Sequence, residues 1–169
     1  SKSVDTAEAA AARKLRRSLE AFHGRQDAQA VETAWPHLDS SDRFIRFAAR
    51  VAIEHQDAST WQSRALAESR PQAALNALLA LVRSRAQDPF HRQNRDETPD
   101  ATLRAEVLKA LGKLSWAKLT DEQRVDLARV YQVALNRLGP PTDAERQAII
   151  AQLATHFPTD IRELNAELA

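Results

Sequence analysis

The chain has 169 residues, of which 43% are hydrophobic and 28% are charged, and its formal net charge is +1. This length and balance are those of one globular domain and exclude a disordered chain, while the low net charge argues against nucleic acid or an anionic membrane as a partner. The absence of cysteine excludes disulfides, thiolate chemistry, iron–sulfur clusters and covalent haem attachment within the chain.

The first two helices are predicted from apolar spacing and from residues that stop a helix. Residues 6–22 place large apolar side chains on one face and basic side chains on the other, and Gly24 ends this helix. A second helix is predicted over residues 27–34, with Asp27 as its cap. We expect it to end before Pro36, because the residue preceding a proline avoids helical backbone angles.

A third helix is predicted over residues 42–55, with Ser40 or Ser41 as its N-cap. This run is apolar nearly all round its circumference, so we expect other helices to pack on several of its sides. Four polar residues interrupt it at spacings of three, four and four, and they therefore form one narrow stripe: Arg43, Arg46, Arg50 and Glu54.

The next helices are separated by the longest polar segment of the chain. Helices are predicted over residues 58–69 and 71–85, and the second of them opens with a proline at a first-turn position. Residues 87–100 are polar and contain two prolines, which predicts a loop. Asp100 then caps a helix over residues 101–114, whose leucines and valine form a core stripe.

The C-terminal third carries the clearest helix starts. Two capping boxes, each a threonine followed three residues later by Gln or Glu, predict helices over residues 121–138 and 143–156. The capping-box pairs are Thr120 with Gln123 and Thr142 with Glu145. A last helix is predicted after Pro158. No segment has the alternation or the β-branched density of a strand, so the chain is predicted to be all-α.

Three of the predicted helices share a pattern at spacings of 30 and 28 residues, which predicts a right-handed stack of antiparallel helical hairpins. The repeated strings begin at Ile45, Leu75 and Leu103. Residues 38–49 contain a leucine, an acidic turn and a hydrophobic–arginine pair followed by alanines, and they resemble the turn and second helix of a HEAT repeat. Residues 103–114 resemble the same helix. Asn76 stands where the family favours arginine.

The resemblance implies a HEAT/armadillo-like α-solenoid, with one domain over residues 1–169. Within it, HEAT-like hairpins are expected over 27–114 and a C-terminal helical cap over 115–169. Residues 42–56 and 130–141 are also similar to helical regions within very large secreted bacterial proteins. That similarity implies an extracytoplasmic segment of a larger protein, and the lack of any methionine agrees with an excised or processed chain.

The arginines of the polar stripe are the first candidate site. Arg43, Arg46 and Arg50 can line a groove that binds phosphate or an acidic peptide. The alternative is a structural role, in which Arg46 pairs with Asp39 or Asp42 in the preceding turn. In the same interpretation, Arg50 pairs with Glu54 one helical turn on.

The polar loop is the second candidate site. It contains an aromatic side chain, a histidine and two arginines, and loops of this kind often carry partner contacts. The loop candidates are Phe90, His91, Arg92 and Arg95. The alternative is an unstructured insertion, because long loops in compact domains are either functional or disordered.

The histidines and tryptophans are predicted to be structural. The five histidines lack the spacing of metal-ligand pairs, and those at helix C-termini (His23, His55 and His156) fit capping or exposure. The tryptophans are expected to fill gaps between hairpins, with stacking on bases or sugars as the alternative. They are Trp35, Trp61 and Trp116. No nucleophile, acid–base or phosphate-binding motif is present, so no enzyme activity, cofactor or metal is predicted.

These observations predict a non-catalytic scaffold or protein-interaction domain whose partner is a protein or a neighbouring domain. The alternative is a HEAT-like DNA-binding repair protein of the alkylpurine glycosylase type, which residues 44–56 resemble, although a net charge of +1 argues against it. A third possibility is self-association through the C-terminal stripe of Ile161, Leu164 and Leu168. No apolar run reaches the roughly 20 residues of a membrane span, so membrane insertion is not predicted.

Overall fold

A computed structural model of the chain describes residues 6–91 and 98–156. All regular secondary structure in these ranges is helical, which confirms the all-α prediction. Eight α-helices lie within them, joined by single 3₁₀ turns and short loops. They are α1 (Ala7–Glu20), α2 (Ala30–Ala34), α3 (Arg43–Glu54), α4 (Gln62–Ala67), α5 (Pro71–Arg85), α6 (Ala101–Gly112), α7 (Asp121–Leu138) and α8 (Asp143–Leu153).

The helix starts in the second half of the chain are where the sequence predicted them. Both capping boxes are complete, because each threonine accepts a hydrogen bond from the residue three positions on and that residue's side chain accepts from the threonine N–H. The Asp100 side chain accepts from Leu103 N at 2.9 Å and so caps α6. The helix predicted after Pro158 lies outside the described residues, as does its apolar stripe.

The cap of α3 differs from the prediction. Asp42 takes this position, since its backbone is extended and its Oδ1 accepts from Phe44 N at 2.8 Å. Ser40 instead accepts from Asp42 N at 3.3 Å and orders the turn before the cap. The prediction of Ser40 or Ser41 as the cap was wrong because several residues with capping side chains are adjacent, and the backbone angles decide between them.

The short helices α2 and α4 begin later than predicted. Each is preceded by an aspartate whose Oδ1 accepts from the N–H two residues on, Asp27 from Gln29 and Asp57 from Ser59, both at 2.9 Å. These local bonds hold a turn where the sequence predicted the first turn of a helix. At the other end of α2, Trp35 keeps helical angles although it precedes a proline, and the chain continues as a 3₁₀ turn over Trp35–His37.

The helices pack in two rows. In one row α1 contacts α3, α3 contacts α5 and α5 contacts α7, and in the other α4 contacts α6 and α6 contacts α8. Helices α2, α4 and α6 also pack on α3, α5 and α7 respectively, which joins the rows. Half of the buried residues of α5 are alanines, so its neighbours can approach closely. The buried residues of α5 are Ala73, Ala74, Leu75, Ala77, Leu78, Ala80, Leu81 and Val82.

Two of the three tryptophans are buried between the helices, as predicted. Trp35 and Trp61 are 2% and 1% exposed, and their rings meet edge to face with centroids 6.5 Å apart. The Trp35 Nε1 donates to Glu68 Oε2 at 2.9 Å. Trp116 is only partly buried, and its ring stacks on His156 with centroids 4.7 Å apart.

Candidate functional site

An open groove with a volume of about 610 Å³ lies along the row formed by α3, α5 and α7. Its floor comes largely from α5 and includes Leu75 and Leu79 together with the polar Asn76. Helix α3 forms one wall and α7 the other, because these two helices flank α5 in the row. The wall residues are Arg43, Arg46, Phe47 and Arg50 from α3, and Asp121, Glu122, Val125, Asp126, Arg129 and Val130 from α7.

Helix α3 contacts α1, α2 and α5, which confirms that helices pack on several of its sides, but one side stays open. Phe44 and Phe47 are 53% and 57% exposed, which is unusual for phenylalanine. The guanidinium groups of Arg43 and Arg50 lie 4.7 and 5.2 Å from the centroids of these two rings. The arginines thus cover part of the aromatic surface on the side of α3 where no further helix of the described residues packs.

The structure places Arg43, Arg46 and Arg50 on the groove together, as their helical spacing requires. Arg43 has no carboxylate partner among the described residues, and its guanidinium rests on the ring of Phe44. The three arginines differ in how firmly they are held, so each contributes differently to what the groove can bind.

Arg46 is held at both ends of its guanidinium. Its Nη1 donates to the backbone oxygens of Ser40 and Ser41 at 2.8 and 3.2 Å, and its Nη2 forms an ion pair with Glu122 of α7. The predicted pairing of Arg46 with Asp39 or Asp42 was wrong. Asp39 accepts from Arg70, and Asp42 caps α3.

Arg50 pairs with Glu54, which confirms the structural interpretation of this arginine. Glu54 also accepts from Arg83 Nε of α5 at 3.0 Å, so the carboxylate links two arginines. Burial lowers the pKa of Arg50, and the adjacent Glu54 carboxylate opposes that effect. Both side chains of the Arg50–Glu54 pair are nearly buried, so Arg50 orients Glu54, and Glu54 links α3 to α5 through Arg83.

The acidic wall of α7 was not recognised from the sequence. Asp121, Glu122 and Asp126 all line the groove, opposite the arginines of α3. Asp121 accepts from Arg124 at 2.8 Å and Asp126 accepts from Gln72 at 3.1 Å. Asp121 and Glu122 lie in the first turn of α7, where carboxylates interact favourably with the helix dipole, so a local role is enough to explain them in sequence. Their common face was visible in their spacing, but its position opposite α3 depends on tertiary packing.

The loop candidates lie apart from the groove or outside the described residues. Phe90 is 92% exposed on the 3₁₀ turn Pro89–His91, and its N–H donates to Asp88 Oδ1 at 3.0 Å. It does not line the groove. Arg92 and Arg95 lie outside the described residues, and so does the remainder of the candidate loop up to residue 97.

The histidines have structural contacts. His23 Nε2 lies 2.9 Å from the Ala48 backbone oxygen, and its ring centroid is 6.2 Å from that of His55, which is exposed. In the part of the chain that the structure describes, no three or more His, Asp or Glu side chains form a group able to hold a metal ion.

Comparisons of the chain with protein families, with curated proteins and with solved structures gave no match. Within residues 6–91 and 98–156, no helix combines the length and the apolar character that crossing a membrane requires. The groove and its charges are therefore interpreted from their own geometry.

Proposed function

We propose that this chain is a non-catalytic protein-interaction domain of a larger protein, and that its groove binds a segment of a partner protein. The observation that carries the proposal is the exposure of Phe47, 57% of its surface, on the wall of a groove of about 610 Å³. Exposed aromatic side chains beside a groove are typical of interaction surfaces, because their burial supplies much of the free energy of binding.

The proposal includes a right-handed, HEAT-like α-solenoid as the architecture. Each helix of the groove row contacts its neighbours in chain order, and the second row alternates with it along the chain. Solenoids have this arrangement, and their curved rows provide extended binding surfaces. The resemblance of residues 38–49 and 103–114 to HEAT helices supports the same architecture.

A nucleic acid partner is the second candidate, because α3 combines exposed phenylalanines with three arginines. Phenylalanine can stack on a base and arginine can bind a phosphate. The opposite wall argues against this candidate, since the carboxylates of Asp121, Glu122 and Asp126 would repel a phosphate backbone that entered the groove. The charges of the groove therefore favour a protein.

Selection from a random peptide library displayed on phage tests the proposal. Wild type is panned, and selected peptides are measured against Phe47→Asp and against the matched control Phe90→Asp, which alters an exposed phenylalanine outside the groove. We expect the selected peptides to bind Phe47→Asp at least tenfold more weakly than wild type. Their affinity for Phe90→Asp should equal that for wild type. A lack of enrichment, or equal binding to both variants, would contradict the proposal.

A salt titration with labelled duplex and single-stranded DNA tests the second candidate. Wild type and Arg43→Ala are compared, because Arg43 has no carboxylate partner among the described residues and can be removed without breaking an ion pair. We expect no binding at low salt. Salt-sensitive binding that Arg43→Ala weakens, with an unchanged melting temperature, would favour nucleic acid over protein.

A further inference from the structure

The two walls of the groove carry opposite charges in matching order. Arg46 of α3 pairs with Glu122 of α7, and Arg50 and Asp126, each four residues further along its helix, also line the groove. Helices α3 and α7 lie on either side of α5, so three arginines on one wall face three carboxylates on the other, which also carries Arg129. A ligand that carries only one sign of charge would be attracted by one wall and repelled by the other.

The groove is open above α5, and the Arg46–Glu122 ion pair spans it at one end. Packed helix axes lie about 8–10 Å apart, so the axes of α3 and α7 are at most about 20 Å apart, and a further helix fits on the outer side of α5 rather than between the walls. An α-helix with its side chains is about 10–12 Å across. A single helix placed over Leu75 and Leu79 would thus contact both walls, and Phe47 would pack against its side.

The charges at one end of the groove are available to a ligand. Glu122 and Asp121 are 65% and 66% exposed, whereas the side chain of Arg46, which pairs with Glu122, is 11% exposed. Arg46 stays oriented without Glu122, because Ser40 and Ser41 accept hydrogen bonds from the same guanidinium. A carboxylate of the ligand can therefore replace Glu122 on Arg46, and Glu122 can then pair with a cation of the ligand.

On the basis of the proposed function, we infer that the groove binds an amphipathic helix of a partner protein with three distinct edges. Its apolar seam packs on the floor, an acidic edge faces Arg43 and Arg46, and a basic edge faces Asp121 and Glu122. When the partner helix binds, the Arg46–Glu122 pair is replaced by two ion pairs, one from each of these residues to the partner. Because the two walls differ in charge, they determine which edge of the bound helix faces which wall.

Three designed peptides of about 20 residues with the same apolar seam test this inference. One has a glutamate edge and a lysine edge, one has two glutamate edges and one has two lysine edges. Binding is measured by fluorescence anisotropy of a label on each peptide. We expect the two-sign peptide to bind wild type about tenfold more tightly than either single-sign peptide, since two exposed ion pairs distinguish them.

A charge reversal on one wall provides the decisive comparison. Glu122→Lys replaces a carboxylate of the α7 wall with a cation beside Asp121, so the peptide with two glutamate edges should bind this variant more tightly than the two-sign peptide does. The matched control is Glu32→Lys, which makes the same charge change at a residue that is 76% exposed and does not line the groove. It should leave the order of the three affinities unchanged. A two-sign peptide with two prolines in its centre should lose binding, because it cannot form the helix.

Several results would overturn the inference. With wild type, these are the absence of binding by all three designed peptides, or tightest binding by a single-sign peptide. With the variant, it is an order of peptide affinities that Glu122→Lys leaves unchanged. With the proline-containing peptide, it is an affinity equal to that of the two-sign peptide without prolines. If the library still yields peptides that require Phe47, the proposed function survives and only the helix with two charged edges is wrong. If the library also fails, both proposals fail.

Discussion

Arg46 of α3 and Glu122 of α7 form an ion pair across α5, the helix that packs between them. The pair therefore links two helices that α5 separates in the row. It also joins residues that are 76 positions apart in the chain.

Arg46 and Glu122 should differ in their contributions to stability. Arg46→Ala should lower the free energy of unfolding by about 1–3 kcal/mol, because the Ser40 and Ser41 oxygens lose their donor. Glu122→Ala should cost less than about 1 kcal/mol, since its side chain is 65% exposed. Urea denaturation measures both values, and equal losses would show that the ion pair, rather than the backbone contacts, holds Arg46.

Among the charged residues that the structure describes, replacing Arg104 should cause one of the larger losses of stability. Its Nε donates to Glu145 at 3.1 Å, its Nη1 donates to the Leu138 oxygen at 3.4 Å, and both side chains of the ion pair are nearly buried. We expect Arg104→Ala to cost about 3 kcal/mol by denaturation, because Glu145 would be left without its cation. The control Arg64→Ala breaks an exposed pair with Glu32 and should cost less than about 1 kcal/mol. Similar losses in the two variants would contradict this explanation.

Glu68 should make stability depend on pH in the acid range. The side-chain hydrogen bond from Arg70 is the main cause that lowers the pKa of Glu68 from its usual 4.5 to about 2, and Trp35 also donates to this carboxylate. A lowered pKa in the folded state stabilises the protein above about pH 4.5, and the stabilisation is lost as the pH falls towards 2. The Arg70 side chain is 44% exposed, so we expect a contribution of only about 1–2 kcal/mol after solvent screening.

The variant Glu68→Gln tests this dependence by urea denaturation between neutral pH and pH 3. It should be less stable than wild type at neutral pH, and the difference should shrink as the pH falls. Glu32→Gln is the matched control at an exposed ion pair and should change stability little throughout. A difference between Glu68→Gln and wild type that stays constant with pH would show that packing, not charge, accounts for the effect.

Replacing each of the three glycines with alanine should change the stability of the protein by a different amount. Gly139 has a φ of +89°, and an added Cβ would lie 3.2 Å from the Pro99 ring, so Gly139→Ala should cost more than about 1 kcal/mol. Gly24 has a φ of +76° but open space around it, so its variant carries only the backbone strain, about 1 kcal/mol. Gly112 is helical with open space, and its alanine variant should stabilise the protein by about 0.5–1 kcal/mol. Melting temperatures in any other order would contradict this interpretation.

Local chemistry explains which parts of the fold were predictable from the sequence. The starts of α6, α7 and α8 were predicted because a single side chain at each start, such as Asp100 or Thr120, makes bonds within its own turn. The cap of α3 was not, since Ser40, Ser41 and Asp42 compete within three positions. The starts of α2 and α4 depended on aspartate turns that resemble the first turn of a helix in sequence.

The candidate site was only half predictable. The shared face of Arg43, Arg46 and Arg50 follows from helical spacing alone, and so does the Arg50–Glu54 pair. The partner of Arg46 depends on the tertiary packing of α3, α5 and α7, which no local pattern contains. The exposure of Phe44 and Phe47 was also unpredictable, because an apolar residue has the same spacing whether a neighbour covers it or not.

The fluorescence of the tryptophans can report separately on two regions of the molecule. Trp35 and Trp61 share one buried environment beside α2 and α4, whereas Trp116 stacks on His156 at the start of α7. A mutant that lacks Trp116 would emit only from the first environment, and one that lacks the buried pair only from the second. Because each helix of the groove row packs mainly on its neighbours, the two emissions can tell whether the ends of the row unfold together or one after the other.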